Sequence, residues 1–178
     1  KHVNYMLTFY EKILPNNSPA LSLDWQFRYS LLSKKLGYLV KLSNIVVGEN
    51  KIEMEWVDGP TVKEKLETMT SKDCDNLIHF LIKIIFDLES NPIENMYGHH
   101  LDLALDNIIY SDRFVLIDPN SFAFKKYFDY VNYNSLLLTL VNILEINDVA
   151  AKKEKLIQYD SLMDKMAEDT SPSEESQK

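Results

Sequence analysis

The order of apolar and polar positions along the chain predicts strands and one helix first, and mainly helices afterwards. Residues 3–14 alternate between apolar and polar side chains, as a half-buried strand does, and end at the turn-forming Pro15. The widest apolar stripe runs along residues 71–90, where Thr70 or Ser71 is a suitable N-cap. Strands followed by helices in this order predict an α+β fold. The other predicted elements are a helix over Trp25–Leu36, strands over Tyr38–Val47 and Lys51–Val57, a short helix over Val62–Met69, strands over Asn107–Tyr110 and Phe114–Ile117, and helices over Ser135–Ile146 and Asp148–Ala167.

Composition and charge limit the classes of partner. The 178 residues are 46% hydrophobic, which is enough to bury one sizeable core. With 19 basic and 27 acidic residues the net charge is −8, and this argues against nucleic acid or an anionic membrane as the main partner. The single cysteine, Cys74, excludes an internal disulfide and a cysteine-based zinc site. Because no apolar run is long enough to span a bilayer, we expect a soluble, cytoplasmic protein.

The segment with the clearest chemistry lies between residues 98 and 120. It contains His100-x-Asp102, then Asn107, and finally Asp118 directly after an apolar strand. A hairpin formed by the two predicted strands can bring these polar side chains together at its open end. Carboxylate and amide oxygens are the ligands that Mg²⁺ prefers. Such an ion neutralises a polyphosphate, while a remaining carboxylate orients a hydroxyl nucleophile.

This segment resembles the catalytic and metal-binding loops of the protein-kinase-like superfamily. The upstream stretch, residues 52–62, resembles the hinge at which the small lobe of that family passes into the large lobe. The resemblance implies a two-lobed α+β fold. It divides the chain into a small lobe over residues 1–58, a large lobe over residues 59–167 and a disordered acidic tail over residues 168–178.

The resemblance also implies roles for single residues. Asp102 is implied as the catalytic base that faces the acceptor hydroxyl, and His100 as the structural histidine of the catalytic loop. Asn107 and Asp118 are implied as the ligands of Mg²⁺. The nucleotide, ATP or GTP, is expected to lie against the hinge residues Met54, Glu55, Trp56 and Val57.

The sequence departs from the family pattern in the metal triplet and the small lobe. The triplet Asp118-Pro119-Asn120 stands in place of Asp-Phe-Gly. In this respect the chain is similar to the aminoglycoside phosphotransferase-like and RIO-like branches of the superfamily. The 178 residues contain no Gly-x-Gly-x-x-Gly motif. Thr8 stands about where the phosphate-binding lysine belongs, with Lys12 or Lys1 as substitutes. Together these features predict a divergent or truncated small lobe.

Other expectations concern supporting residues. On the predicted small-lobe helix, Asp24 or Gln26 stands near the place of the glutamate that partners the lysine. Asn132 takes the place of the usual aspartate beneath the catalytic loop, and His99 is expected at the surface.

Three functions remain open. The first is a kinase-like phosphotransferase that moves the γ-phosphoryl of ATP or GTP to a hydroxyl of a small molecule or sugar, supported by Asp102, Asn107 and Asp118. The second is a compact atypical serine/threonine protein kinase, suggested by the short region after Asp118. The third is a pseudokinase, a nucleotide- or protein-binding module, suggested by Thr8 and the absent glycine motif. The expected partners are therefore a nucleotide and either a small-molecule or a protein acceptor, or a protein partner in the third case.

Overall fold

The computed structural model describes residues 9–170, and at residues 45–47 and 168–170 it describes the backbone alone. Residues 3–8 of the first predicted strand and residues 171–178 of the predicted tail lie outside this range. The helices and strands are β1 (Phe9–Ile13), α1 (Leu23–Lys35), β2 (Leu42–Val46), β3 (Lys51–Glu55), α2 (Val62–Lys65), α3 (Ser71–Ser90), β4 (Tyr97–His100), β5 (Ile108–Tyr110), β6 (Phe114–Leu116), β7 (Phe122–Lys125), α4 (Tyr130–Leu144) and α5 (Val149–Thr170).

The strand-rich part of the chain is an antiparallel sheet in the order β1-β3-β2, with α1 between β1 and β2 in the chain. Ser22 begins α1 by accepting a hydrogen bond from Trp25 N. Trp25 and Tyr29 are buried and stack with their ring centroids 5.1 Å apart. Trp25 Nε1 donates to Phe122 O at 2.7 Å, so α1 is fixed to β7, the strand that follows Asp118.

The helical part is centred on α3, whose prediction is confirmed. Thr70 and Asp73 form a capping box at its start. The helices α4 and α5 pack against it. The apolar stripe of α3 is buried throughout, as a helix in the middle of a core requires. Its buried residues are Cys74, Leu77, Ile78, Leu81, Ile84, Ile85 and Leu88.

The structure differs from the predicted elements at several points. Helix α5 continues to Thr170, although the sequence predicts a disordered tail from residue 168, and strand β2 begins at Leu42 rather than Tyr38. Helix α4 begins at Tyr130 rather than Ser135, because Asp129 caps it by accepting from Asn132 N. Strands β4 and β7 form a two-stranded antiparallel sheet that the sequence does not predict, since Tyr97–His100 lacks alternation. The pairing buries His99, which the sequence placed at the surface.

The strand-rich and helical parts are joined through the hairpin β5–β6 and the segment after β3. Leu116 N donates to Tyr38 O at 2.8 Å, and Leu116 O accepts from Val40 N at 3.0 Å. The segment after β3 passes close to β5 at Gly59. The fold is thus α+β, with a small strand-rich part and a larger helical part. Within residues 9–170, no helix combines the length and the apolar character that a membrane span requires.

Candidate active site

The hairpin β5–β6 brings Asn107 and Asp118 together. Ile108 pairs with Leu116, and beyond that pair Ile117 N donates to Asn107 O at 2.8 Å. Asn107 and Asp118 therefore flank the open end of one hairpin. Both line a cavity of about 320 Å³. The sequence predicts this meeting of the two side chains at the open end of the hairpin.

Asp118 is held in a left-handed backbone conformation, with φ 67° and ψ 59°. This conformation is uncommon for a residue other than glycine and recurs at functional sites. Ser121 Oγ donates to Asp118 Oδ2 at 2.5 Å, and Lys12 Nζ lies 2.5 Å from Oδ1. Burial acts to raise the pKa of Asp118, but the hydrogen bonds from Lys12 and Ser121 lower it overall. The carboxylate is therefore ionised at neutral pH.

Lys12 is the cationic residue that the structure places at this carboxylate. It lies on β1, paired in register with Ile52 of β3, and it lines the same cavity as Asp118. The sequence predicts Thr8 at the position of the phosphate-binding lysine, with Lys12 or Lys1 as a substitute. Thr8 lies outside the described residues. Gln26 of α1, proposed as a partner for the lysine, instead donates to Ala20 O.

His100 connects the loop that carries Asp102 to the segment that carries Asp118. Its Nδ1 accepts from Asp102 N at 3.1 Å, and its Nε2 lies 3.3 Å from Ile117 O. Since a carbonyl oxygen only accepts, the ring proton is on Nε2. The ring is buried, and burial lowers the pKa of His100 to about 4. His100 is therefore neutral at pH 7.

Few contacts compensate for the burial of the Asp102 carboxylate. Its Oδ1 is buried and has no hydrogen-bond partner among residues 9–170. Burial raises the pKa of Asp102 to about 6, against the opposing effect of a hydrogen bond from Asn107, and the carboxylates of Asp106 and Asp118 act in the same direction as burial. Asn107 Nδ2 donates to the main-chain oxygen of Asp102 at 2.8 Å and so fixes the loop. A weakly solvated carboxylate of this kind is suited to accept a proton.

Three side chains hold the loop from beneath, and the sequence did not identify them. Tyr133 Oη accepts from His100 N at 3.0 Å. On α5, Tyr159 Oη donates to Leu103 O at 2.6 Å, and Asp160 Oδ1 accepts from Leu105 N at 2.8 Å. No local motif marks the α5 residues, because they reach the loop only through the packing of a distant helix.

The side chain of Asn132, which the sequence predicts beneath the loop, hydrogen-bonds at the beginning of α4 and not to the loop. Its side chain is exposed and donates to Asp129 Oδ2 at 2.7 Å, at the beginning of α4. The side chain that contacts the loop is that of its neighbour, Tyr133.

The predicted hinge residues line the same cavity as Lys12 and Asp118. Trp56 is 54% exposed, and its ring centroid is 6.3 Å from that of Tyr10 on β1. The hinge residues that line the cavity are Met54, Glu55, Trp56 and Val57.

A second group of carboxylates lies near the Asp102 loop. One oxygen each of Asp106, Asp160 and Asp164 lies within 4.8 Å of the others. Lys63 Nζ partly balances this charge, at 3.3 Å from Asp160 and 3.9 Å from Asp164.

The donor set of Asn107 and Asp118 fits a hard divalent cation. Because Asn107 Nδ2 is engaged with Asp102 O, its Oδ1 is the atom left to coordinate a ligand. One amide oxygen and one ionised carboxylate on a shared cavity wall are typical of a Mg²⁺ site completed by water and phosphate.

Comparisons with known proteins find a likeness in structure alone. No family model matches the chain, and no curated protein matches it. Among solved structures, 55 chains match. One is the kinase PK-1 of Cydia pomonella granulovirus, with 21% sequence identity and a TM-score of 0.50. The fold is kinase-like. The alignment covers 65% of this chain but 43% of the viral kinase, so the chain corresponds to less than half the length of that protein.

Proposed function

We propose that the protein is a kinase-like phosphotransferase that moves the γ-phosphoryl group of ATP or GTP to a hydroxyl of a small molecule or sugar. The observation that carries this proposal is the ion pair between Lys12 and Asp118, in a cavity that Asn107 and the hinge residues also line. A cation, two metal-ligand candidates and a hydrophobic slot in one cleft are the parts that nucleotide phosphoryl transfer requires.

The proposed nucleotide lies along this cavity. Its base contacts the hinge, where the main chain of Glu55 to Val57 offers hydrogen bonds and Trp56 offers an aromatic face. Its phosphates extend toward Lys12. Asn107 and Asp118 would hold Mg²⁺, and the ion would neutralise charge on the phosphates.

Asp102 is the proposed catalytic base. The acceptor oxygen attacks the γ-phosphorus, the bond from that phosphorus to the bridging β-phosphate oxygen breaks, and the hydroxyl proton passes to Asp102. The raised pKa of Asp102, caused first by burial, supports this role because the group gains little by staying ionised. His100 and Asn107 position the loop, and Lys12 steadies Asp118.

We also propose the two-lobed division that the resemblance implies, with residues 1–58 and 59–167 as the lobes. The cavity supports this division because it is lined by Tyr10 and Lys12 from the sheet and by Asn107 and Asp118 from the hairpin. Lys12 also weakens the pseudokinase interpretation, since it supplies the cation that Thr8 does not.

Calorimetric titration with ATP and GTP, with and without Mg²⁺, tests the proposal. We expect Mg²⁺-dependent nucleotide binding that Asp118→Ala abolishes. Asp112→Ala is the matched control, because Asp112 is an exposed aspartate in the turn of the same hairpin. Nucleotide binding that needs neither Mg²⁺ nor Asp118 contradicts the assigned site.

Turnover separates an enzyme from a pseudokinase. We expect Asp102→Asn to leave nucleotide affinity nearly unchanged and to reduce phosphoryl transfer by about 10²–10⁴-fold, the usual contribution of a general base. Mg²⁺-dependent nucleotide binding without phosphoryl transfer in the unmodified protein favours the pseudokinase interpretation instead.

A further inference from the structure

Both oxygens of the Asp118 carboxylate have a partner. Lys12 Nζ lies 2.5 Å from Oδ1, and Ser121 Oγ donates to Oδ2 at 2.5 Å. With 16% of its side chain exposed, Asp118 also has little room for further neighbours. A divalent cation that binds this carboxylate must therefore displace one of the two partners or share an oxygen with it.

Ser121 is held at Oδ2 by its main chain. It ends the short turn Pro119–Ser121, and its N donates to Asp118 O at 3.0 Å. Its carbonyl oxygen accepts from Leu101 N at 2.9 Å. The hydroxyl sits on a short side chain and carries no charge, so it has neither the reach to leave Asp118 nor a reason to repel a cation.

Lys12 is able to move away from Oδ1. Its side chain is 36% exposed and carries the amino group on a flexible four-carbon stem. An ion on Oδ1, at the usual Mg²⁺–oxygen distance of about 2.0–2.1 Å, would lie less than about 5 Å from the Lys12 ammonium. Like charges this close repel strongly beside a poorly hydrated carboxylate. Lys12 and a divalent cation therefore exclude each other from Oδ1.

The cavity offers a displaced Lys12 few other anions. Among the described residues that line it, Glu55 is the one acidic residue besides Asp118, and Glu55 Oε1 already accepts from Lys41 N at 3.0 Å. A polyphosphate in this cavity would present several anionic oxygens to Lys12 in place of the single oxygen of Asp118. The exchange of partners is therefore favourable when a nucleotide is present and unfavourable with the cation alone.

We infer that Lys12 competes with the divalent cation for Asp118 Oδ1 and leaves it for the nucleotide phosphates, so that cation and nucleotide bind together. Lys12 is then a positioning residue with two alternative partners, while Ser121 keeps Asp118 in place during the exchange. By linkage, each ligand raises the affinity for the other by the same factor. The nucleotide part of the inference rests on the proposed phosphotransferase function, whereas the competition at Oδ1 rests on the contacts of Asp118.

Calorimetric titration with Mn²⁺ in the absence of nucleotide tests the competition. We expect Lys12→Met to tighten Mn²⁺ binding by about tenfold or more, the equivalent of one hydrogen bond between charged groups. The same substitution should weaken Mg·ATP binding, because the phosphates then lose their cation. Effects of opposite sign on the two ligands are the signature of a residue that exchanges partners.

The Asp118→Ala background shows at which site Lys12 acts. It separates binding at Asp118 from binding at other carboxylates, such as the group of Asp106, Asp160 and Asp164. In this background Lys12→Met should leave Mn²⁺ binding unchanged, since the two residues act on one site.

Two further variants serve as controls. Lys51→Met removes a positive charge from the same sheet, where Lys51 pairs with Glu11 and Glu49, and it should leave Mn²⁺ binding unchanged. Ser121→Ala should not tighten Mn²⁺ binding, because the hydroxyl is not a competitor of the cation.

The reactivity of the Lys12 amino group follows the exchange in the unmodified protein, so this measurement does not depend on the folding of any variant. The probe is acetylation by N-acetoxysuccinimide, read by peptide mass spectrometry at matched ionic strength. We expect saturating Mg²⁺ alone to increase acetylation of Lys12 several-fold and Mg·ATP to reduce it again, while Lys51 reacts equally under all conditions.

Two results overturn the inference. One is Mn²⁺ binding that Lys12→Met leaves unchanged or weakens, and the other is a tightening that persists in the Asp118→Ala background. Failure of the phosphotransferase proposal has a different signature: Lys12→Met still tightens Mn²⁺ binding through Asp118, but Mg·ATP neither binds nor protects Lys12. The competition at Oδ1 then stands, and the nucleotide part is refuted together with the proposed function.

Discussion

Lys12 Nζ lies 2.5 Å from Asp118 Oδ1, and this contact joins strand β1 to the second residue after strand β6. The two residues are 106 positions apart in the chain. Asp118 is largely buried, with 16% of its side chain exposed, so the lysine balances a carboxylate that water reaches poorly. This contact connects the strand-rich part of the protein to the proposed metal site.

Replacing Lys12 should impair nucleotide binding. A hydrogen bond to a charged group contributes about 1.5–3 kcal/mol, so removing the cation proposed to face the phosphates in Lys12→Met should weaken Mg·ATP binding by about 10-fold or more in calorimetry. Lys51→Met is the control, since Lys51 lies on the neighbouring strand and pairs with Glu11 and Glu49. Equal affinity in the two variants contradicts the placement of Lys12.

Asp102→Asn should stabilise the protein at neutral pH. The pKa of Asp102 is about 6 in the folded protein, raised chiefly by burial, against 3.8 for an ordinary aspartate. Ionisation therefore costs stability, and the cost is present above pH 6 and vanishes as the pH falls below about 4. Allowing for solvent screening of this partly exposed group, we expect a gain of about 1 kcal/mol in urea unfolding at pH 7.5.

The same measurement at pH 4 should show little gain from Asp102→Asn. Asp112→Asn, at an exposed aspartate, should be neutral at both pH values. A loss of stability at pH 7.5 in Asp102→Asn would mean that the carboxylate has a compensating partner in the folded protein.

His100 should make the protein sensitive to acid. Burial lowers its folded pKa to about 4, whereas the ordinary histidine value is 6.5. The free energy of unfolding therefore has its full contribution from the neutral ring above pH 6.5. It falls by up to about 3 kcal/mol as the pH drops from 6.5 toward 4.

The unfolding free energy at pH 7.5 and pH 4.5 tests this. His100→Gln should show a smaller loss on acidification than the unmodified protein. His79→Gln, at an exposed histidine, should behave like the unmodified protein. An identical acid loss in His100→Gln would assign the pH dependence to other groups.

Gly59→Ala should destabilise the connection after β3. Gly59 has φ +136°, and a Cβ there would meet Tyr110 O at 3.0 Å and Ile109 Cγ2 at 3.1 Å. We expect a loss of about 1–3 kcal/mol in thermal or urea unfolding. Gly37→Ala is the control, because no atom lies within 4 Å of a Cβ at that position. A neutral Gly59→Ala would mean that the backbone relaxes without cost.

Trp56 should report on the base of the nucleotide. The chain has 2 tryptophans, and Trp25 is buried whereas Trp56 is 54% exposed and lines the cavity that contains Asp118. We expect Mg·ATP to quench the fluorescence of Trp56. Because stacking of a base on an aromatic side chain is worth about 1–3 kcal/mol, Trp56→Leu should weaken ATP binding but leave the binding of Mg²⁺-tripolyphosphate unchanged. Equal weakening of both ligands would place Trp56 at the phosphates instead.

The sequence by itself determined the elements whose signals are local. Helix α3 is recognisable because its cap and its apolar stripe are contained within its own residues, Thr70 to Ser90. The strands on both sides of Ser111-Asp112-Arg113 are recognisable because a hairpin pairs neighbouring segments. The meeting of Asn107 and Asp118 follows from that hairpin, which is why the site residues predicted in this loop come together.

Only the tertiary structure decided which residue of the first strand reaches Asp118. Side chains on a strand alternate with a period of two, so residues 8 and 12 belong to the same face, and periodicity cannot choose between Thr8 and Lys12. The choice depends on how far the strand extends over the cavity, and this is set by the pairing of Lys12 with Ile52 on another strand.

The support of the Asp102 loop was decided in the same way. Tyr159 and Asp160 contact residues 56 and 55 positions away, and the segment Tyr97–His100 becomes a strand because it pairs with Phe122–Lys125. Such contacts are made by elements that meet only after the chain has folded. A sequence pattern records which face of an element is buried, but not which distant side chain fills the space opposite it.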